Sequence, residues 1–137
     1  MGDVIDFSAG DFVHLGLGST VVALPTHTGD MAWYEEYEIS HGHDGAEGRL
    51  VSMHTFTQSW DSWEMHPTGA ELVLCVAGTV TLIQESHDGS SSDVTICAGQ
   101  ATVNPPGVWH TADVPDDADP PTVVFITAGA GTEHRAR

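Results

Sequence analysis

The sequence predicts an all-β domain, a sandwich or a barrel. Three observations carry this reading. From Arg49 to Ala128 the apolar residues fall in short runs, many of them alternating. The runs are separated by turn-forming clusters such as Ser86–Asp93 (SHDGSSSD) and Asn104–Gly107 (NPPG). Helical periodicity is scarce.

In chain order, residues 1–48 read as an N-terminal extension that packs on or pairs with the barrel. Within it, Asp30–Ile39 (DMAWYEEYEI) suits a short helix capped by Asp30. Its aromatic and β-branched content suits a strand or an irregular segment equally. Residues 49–128 form the barrel. Its expected strands are Leu50–Phe56, Trp60–His66, Leu72–Ala77, Thr79–Gln84, Val94–Cys97, Gln100–Val103, Trp109–Val114 and Thr122–Ala128. Pro115–Pro121 (PDDADPP) is an acidic loop between the last two. Residues 129–137 are expected to form a frayed C-terminal tail.

Charge narrows the function. The 137 residues carry 20 Asp plus Glu against 3 Arg and no Lys, for a formal charge of -17. A nucleic-acid partner needs a basic stripe and an anionic membrane surface needs basic residues, so neither is expected. A phosphorylated substrate is disfavoured too, because Arg49 is the one cation outside the last three residues. The hydrophobic fraction of 40% suits a globular chain. The acidic N-terminus has no secretory pattern, and no apolar run reaches membrane-span length, so a cytoplasmic protein is expected. Cys75 and Cys97 sit in apolar runs and read as buried free thiols.

The chemistry concentrates in two stretches. In Trp60–Gly78, Glu64 and His66 are two apart on one strand and share a face. Pro67 and Gly69 turn the chain, and Glu71 opens the next strand facing back. In Gly99–Val114, Pro105 and Gly107 force a sharp turn that aims His110. Metal-competent side chains thus converge from rigid elements.

These stretches resemble the two motifs of the cupin family. The first, G-x5-H-x-H-x3,4-E-x6-G, is matched by His66, Glu71 and Gly78; the second, G-x5-P-x-G-x2-H-x3-N, by Gly99, Pro105, Gly107 and His110. The resemblance implies a double-stranded β-helix, or jelly-roll barrel, with a metal in its mouth and commonly a homodimer. Three positions depart from the pattern. Glu64 replaces the first His, Gln58 the first Gly, and Val114 the final Asn. The expected ligands are Glu64, His66, Glu71 and His110 around one divalent ion: Mn, Fe or Zn, with Ni as a further candidate. Two carboxylates make such a site neutral, and so a weaker Lewis acid than three His with one carboxylate. Alternatively, His66, Glu71 and His110 bind the metal and Glu64 stands beside it as a general base.

His54, on Leu50–Phe56, is a second candidate acid–base group if its strand lines the pocket, with a satisfied, half-buried histidine as the slightly favoured reading. Trp60 shares the face of Glu64 and His66 and suits the wall of an apolar pocket or the core equally; Trp63, Met65 and Trp109 point the other way, into the inter-sheet space or an interface. His41 and His43 read as part of a solvated loop; His14, His27, His87 and His134 carry no signal. The expected function is a metal-dependent enzyme acting on a small, non-phosphorylated molecule by Lewis-acid-assisted proton transfer, of isomerase, cyclase or lyase type. The alternatives are an iron-dependent dioxygenase and a non-catalytic small-molecule-binding cupin.

Overall fold

The computed structural model describes residues 3–117 and 119–137. Ala118, in the expected acidic loop, lies outside the described residues.

The elements are β1 (Val13–Gly16), β2 (Thr20–Ala23), α1 (Met31–His41), β3 (Arg49–Thr55), β4 (Ser62–Met65), β5 (Glu71–Ala77), β6 (Thr79–Glu85), β7 (Ser91–Cys97), β8 (Ala101–Asn104), β9 (His110–Asp113), β10 (Thr122–Thr127) and β11 (Glu133–Ala136). They form two antiparallel sheets, one in the order β2-β1-β3-β10-β5-β8 and the other β11-β4-β9-β6-β7. This is the jelly-roll arrangement that the sequence predicts.

Alternation builds the core between the sheets. Val73 and Cys75 on β5 face Val80, Leu82, Ile96 and Ala112 of the other sheet, with Val123 and Phe125 of β10 completing the cluster. Gly78 joins β5 to β6 at φ 72°, where a Cβ would meet backbone atoms of Asp119, Pro120 and Pro121. Cys75 is a buried free thiol as expected, but Cys97 is exposed, because it ends an edge strand that is exposed at every position but Ile96.

The segment around Asp30 is a helix. An Asp30 carboxylate oxygen accepts from the Trp33 amide at 3.2 Å, which caps α1. Eleven residues are marginal as an isolated helix. Trp33, buried against Phe12 and Leu50, supplies the tertiary anchor.

Residues 133–136 are not frayed. As β11 they pair with β4 in a register that sets Arg135 opposite Trp63 and His134 opposite Glu64. The Arg135 guanidinium lies 5.2 Å from the Trp63 ring centre and 4.7 Å from that of Trp109, and it pairs with Glu85. Trp63 and Trp109 therefore clasp this arginine rather than filling the inter-sheet space. Arg137 pairs with Asp113 at 2.6 Å. Among the described residues, no helix is long and apolar enough to cross a membrane.

Candidate metal centre

The site lies at the mouth between the sheets. β4 brings Glu64, and His66 follows it. β9 brings His110, the cross-strand partner of Glu64. β5, in the other sheet, brings Glu71 at its first residue. Glu64, His66 and His110 each offer a ligand atom, all within 4.8 Å of one another. Glu71 Oε2 is 3.1 Å from His66 Nε2, and Glu71 Oε1 is 3.4 Å from His110 Nε2. Glu64 Oε2 stands 3.8 Å and 3.9 Å from the same two nitrogens.

Neighbouring groups orient both imidazoles. The Thr132 hydroxyl donates to the Gly129 carbonyl at 2.7 Å, so it accepts from His66 Nδ1 at 2.8 Å. His110 Nδ1 donates to the Val108 carbonyl at 3.2 Å. In the neutral rings each Nε2 then carries a bare lone pair aimed into the site. Both Nε2 atoms are buried, and neither has an aligned hydrogen-bond partner, since the Glu71 oxygens stand off the ring direction. Buried polar atoms are seldom left so. Two converging lone pairs with carboxylates beside them match a divalent cation, so the residues fit the metal that the motifs imply.

Glu71, 3% exposed, is fixed from behind. Asn104 Nδ2 donates to its Oε1 at 3.0 Å and the Thr127 hydroxyl to its Oε2 at 2.6 Å. Gln84 Nε2 holds the Asn104 side-chain oxygen at 2.9 Å. Burial works against its charge, but His66, His110 and Thr127 outweigh burial and keep its pKa below the usual carboxylate range. At His66 burial is likewise outweighed, by Glu71 and Glu64, and the pKa is raised. At His110 burial prevails over Glu71, and the pKa is lowered.

A cavity of about 560 Å³ opens from this centre. Its walls include Tyr34, Tyr37, Phe56, Trp60 and Phe125, and none of its lining residues is Lys or Arg. His54 lines it, packed among the rings of Phe12, His27, Phe56 and Phe125. Burial, with His27 nearby, pulls the His54 pKa down to about 4, so the ring is neutral near pH 7 and a weak base.

Two groups escaped the sequence reading. His134 Nε2 stands 3.3 Å from Glu64 Oε1 and lines the cavity. His14, on β1 rather than in a loop, is buried and hydrogen-bonded at both nitrogens. No signal marked either, because each depends on a contact between distant parts of the chain. Asn104 reads in sequence as a turn residue, and its grip on Glu71 comes from the pairing of β5 with β8.

No known family model matches the sequence, and no curated protein matches it. Solved structures do match. A single-site variant of Bacillus subtilis oxalate decarboxylase superposes with a TM-score of 0.53 at 14% identity, over 72% of this chain and 26% of that one. Another structure of that enzyme gives 0.51 at 15% identity, over 65% and 23%. A cupin-2 domain protein from Shewanella frigidimarina gives 0.48 at 18% identity, over 58% and 69%. This chain thus spans about a quarter of the length of the decarboxylases. At such identities the likeness is one of fold, and the fold of this chain is that of the cupins.

Proposed function

We propose that this protein is a metal-dependent cupin enzyme that moves a proton on a small, non-phosphorylated organic molecule, in an isomerase, cyclase or lyase type of reaction. The observation that carries it is the pair of buried, unpartnered Nε2 atoms of His66 and His110 converging beside Glu64.

Glu64, His66 and His110 would hold the ion, with Glu71 as the further ligand. A divalent ion supplies Lewis acidity there, polarising an oxygen of the bound molecule. The protein's own groups do the rest. Glu64 is part-exposed at the cavity, with one oxygen toward the buried histidines and the other toward His134. It is better placed than His54 to take and return a proton, because it stands beside the two buried Nε2 atoms, whereas His54 is packed among aromatic rings. Trp60, Phe56 and Phe125 give the cavity an apolar wall.

The lining also speaks to substrate. Apart from the ion itself, a dianion such as oxalate, the substrate in the name of the structurally similar decarboxylases, would meet carboxylates and no Lys or Arg among the lining residues. A neutral molecule, such as one with a hydroxy-carbonyl unit whose oxygens bind the ion, fits that lining better. The proposed working unit is a homodimer, to be checked by light scattering.

The test is metal analysis of protein purified without added metal, beside Glu64→Ala and His66→Ala. We expect near-stoichiometric metal in the parent and its loss in His66→Ala. A parent that holds no metal and takes up none on titration overturns the proposal. Metal kept in Glu64→Ala with turnover lost assigns Glu64 as the base.

A further inference from the structure

A second polar cluster lies outside both cupin motifs. His14 is 2% exposed, with Nδ1 2.6 Å from the Tyr37 hydroxyl and Nε2 2.6 Å from Asp44 Oδ2. The hydrogen bond from His14 holds the Asp44 carboxyl below its usual pKa, so Asp44 is ionised and accepts only. His14 Nε2 therefore carries the hydrogen. In the neutral ring Nδ1 is then bare, and the Tyr37 hydroxyl donates to it. Beyond Asp44, its Oδ1 lies 3.5 Å from Nε2 of the exposed His43. At the other end Tyr37 is among the residues that line the main cavity. The groups thus run from a cavity-lining residue to the exposed His43.

The surroundings hold this line closely. Gly16 and Gly48 have ordinary extended backbone angles, so conformation does not require glycine at either place. Space does. A Cβ on Gly48 would stand 2.9 Å from His14 Cε1 and 2.8 Å from Asp44 Cβ, and one on Gly16 would stand 3.0 Å from Asp44 Oδ2. The Tyr37 ring is parallel to Trp33 within 2°, and His41 stacks on His14 at 4.5 Å. The void beside His14 is about 10 Å³, room for one water at most, so the cluster does not bind a ligand of its own.

We propose that Tyr37, His14 and Asp44 form a proton relay whose cavity end is the Tyr37 hydroxyl. It rests on the proton-transfer reading above. An acidic C–H or O–H of the bound molecule gives its proton to the Tyr37 oxygen, and the bonding electron pair stays on the molecule. The proton already on Tyr37 passes to His14 Nδ1. His14 becomes an imidazolium whose Nε2–H faces the Asp44 carboxylate, the logic of an acid–histidine–hydroxyl triad. The reverse step returns the proton. Burial, Glu38 and Asp44 all push the Tyr37 pKa up, so the phenol passes a proton on without resting as a phenolate. The charged or titratable groups around the relay are Glu38 and His41 of α1, Asp44 and His43 of the following turn, and His14 itself.

The test uses protein with 15N-labelled histidine, in which Tyr37 is replaced by 3,5-difluorotyrosine, a far stronger acid of nearly the same shape. At one pH below the pKa of the free fluorinated phenol, we expect the fluorinated protein to show phenolate absorption together with a protonated His14 Nδ1, where the unmodified protein keeps a neutral Tyr37, and His14→Gln to abolish that phenolate. Absence of phenolate at that pH, or a phenolate beside a neutral His14, overturns the relay. If the fluorinated chain does not fold, the 15N tautomer of His14 in the unmodified protein decides: hydrogen on Nε2 supports the relay, and hydrogen on Nδ1 in the neutral ring overturns it. Neither measurement depends on metal, so failure of the metal reading would register separately.

Discussion

His134 faces Glu64 across the β11–β4 pairing, with 3.3 Å between Nε2 and Oε1. Glu64 is thereby held between two kinds of partner, since its other oxygen points at His66 and His110. Groups that orient a ligand commonly matter about 10–100-fold in metal affinity. His134→Ala should therefore weaken metal binding by about tenfold while leaving the ligand set intact. Titration of the metal-free protein with Mn²⁺ or Zn²⁺ measures this, and an unchanged affinity would show that Glu64 needs no support.

Glu71 makes a different prediction. Two donors, the buried Asn104 Nδ2 and the half-buried Thr127 hydroxyl, end on its carboxylate. Glu71→Ala strands both, and each unsatisfied group costs about 1–3 kcal/mol. We expect the metal-free protein to lose about 3 kcal/mol in urea unfolding, and Glu71→Gln to lose less. Equal stability of parent and Glu71→Ala would mean that Asn104 and Thr127 find other acceptors.

How far the sequence foretold this arrangement depends on the range of the contacts. Most strands between Arg49 and Thr127 were legible because their residues alternate and their turns carry Gly or Pro, but Ser91–Asp93, which reads as turn, opens β7 instead and pairs with β6. Glu64, His66, Glu71 and His110 were legible because motif spacing fixes which face each occupies. β2 was not, as all four of its residues are exposed and no burial pattern marks it. β11 (EHRA) is exposed throughout, and what orders it is a pair of tryptophans far back in the chain. His14 meets partners 23 and 30 residues away, brought to it by α1 and the turn that follows. The helix itself was ambiguous because MAWYEEYEISH mixes aromatic and β-branched residues, and Trp33 burial resolves it.

Metal binding should release protons. The His66 pKa is raised in the metal-free site, despite burial, by Glu71 and Glu64. A metal ion must displace that proton. Apparent affinity should then fall by about tenfold for each pH unit below the folded pKa of His66, which lies above the ordinary 6.5. Calorimetry in buffers of different ionisation enthalpy reads the released protons directly. Release of none at pH 6 would place His66 outside the ligand set.

His54 sets a limb of the stability profile. Its folded pKa is about 4 against an ordinary 6.5, so below pH 6.5 the unfolded chain takes up a proton that the folded ring refuses. The stability present above pH 6.5 is lost as pH falls toward 4. After allowance for its partial exposure the effect is about 2 kcal/mol. His54→Phe, which keeps an aromatic ring among Phe12, Phe56 and Phe125, should flatten that limb. Thermal melts of both proteins between pH 7 and 4 test this, and parallel profiles would assign the acid limb to other groups.

Arg135 is the residue on which β11 depends. Its guanidinium lies over Trp63 and Trp109 and pairs with Glu85, while the strand has β4 as its partner on one side. Each cation–π contact at a part-exposed site contributes about 0.5–1 kcal/mol. Arg135→Ala should therefore cost about 1–2 kcal/mol locally and raise hydrogen–deuterium exchange over Glu133–Ala136. Because His134 rides on the same strand, metal affinity should fall together with that protection. Arg135→Lys keeps the charge but not the planar group that lies over both rings, so it should fall between parent and Ala. If exchange over Glu133–Ala136 rises while metal affinity holds, β11 closes the sheet without contributing to the centre, and the contact of His134 with Glu64 has no bearing on metal binding.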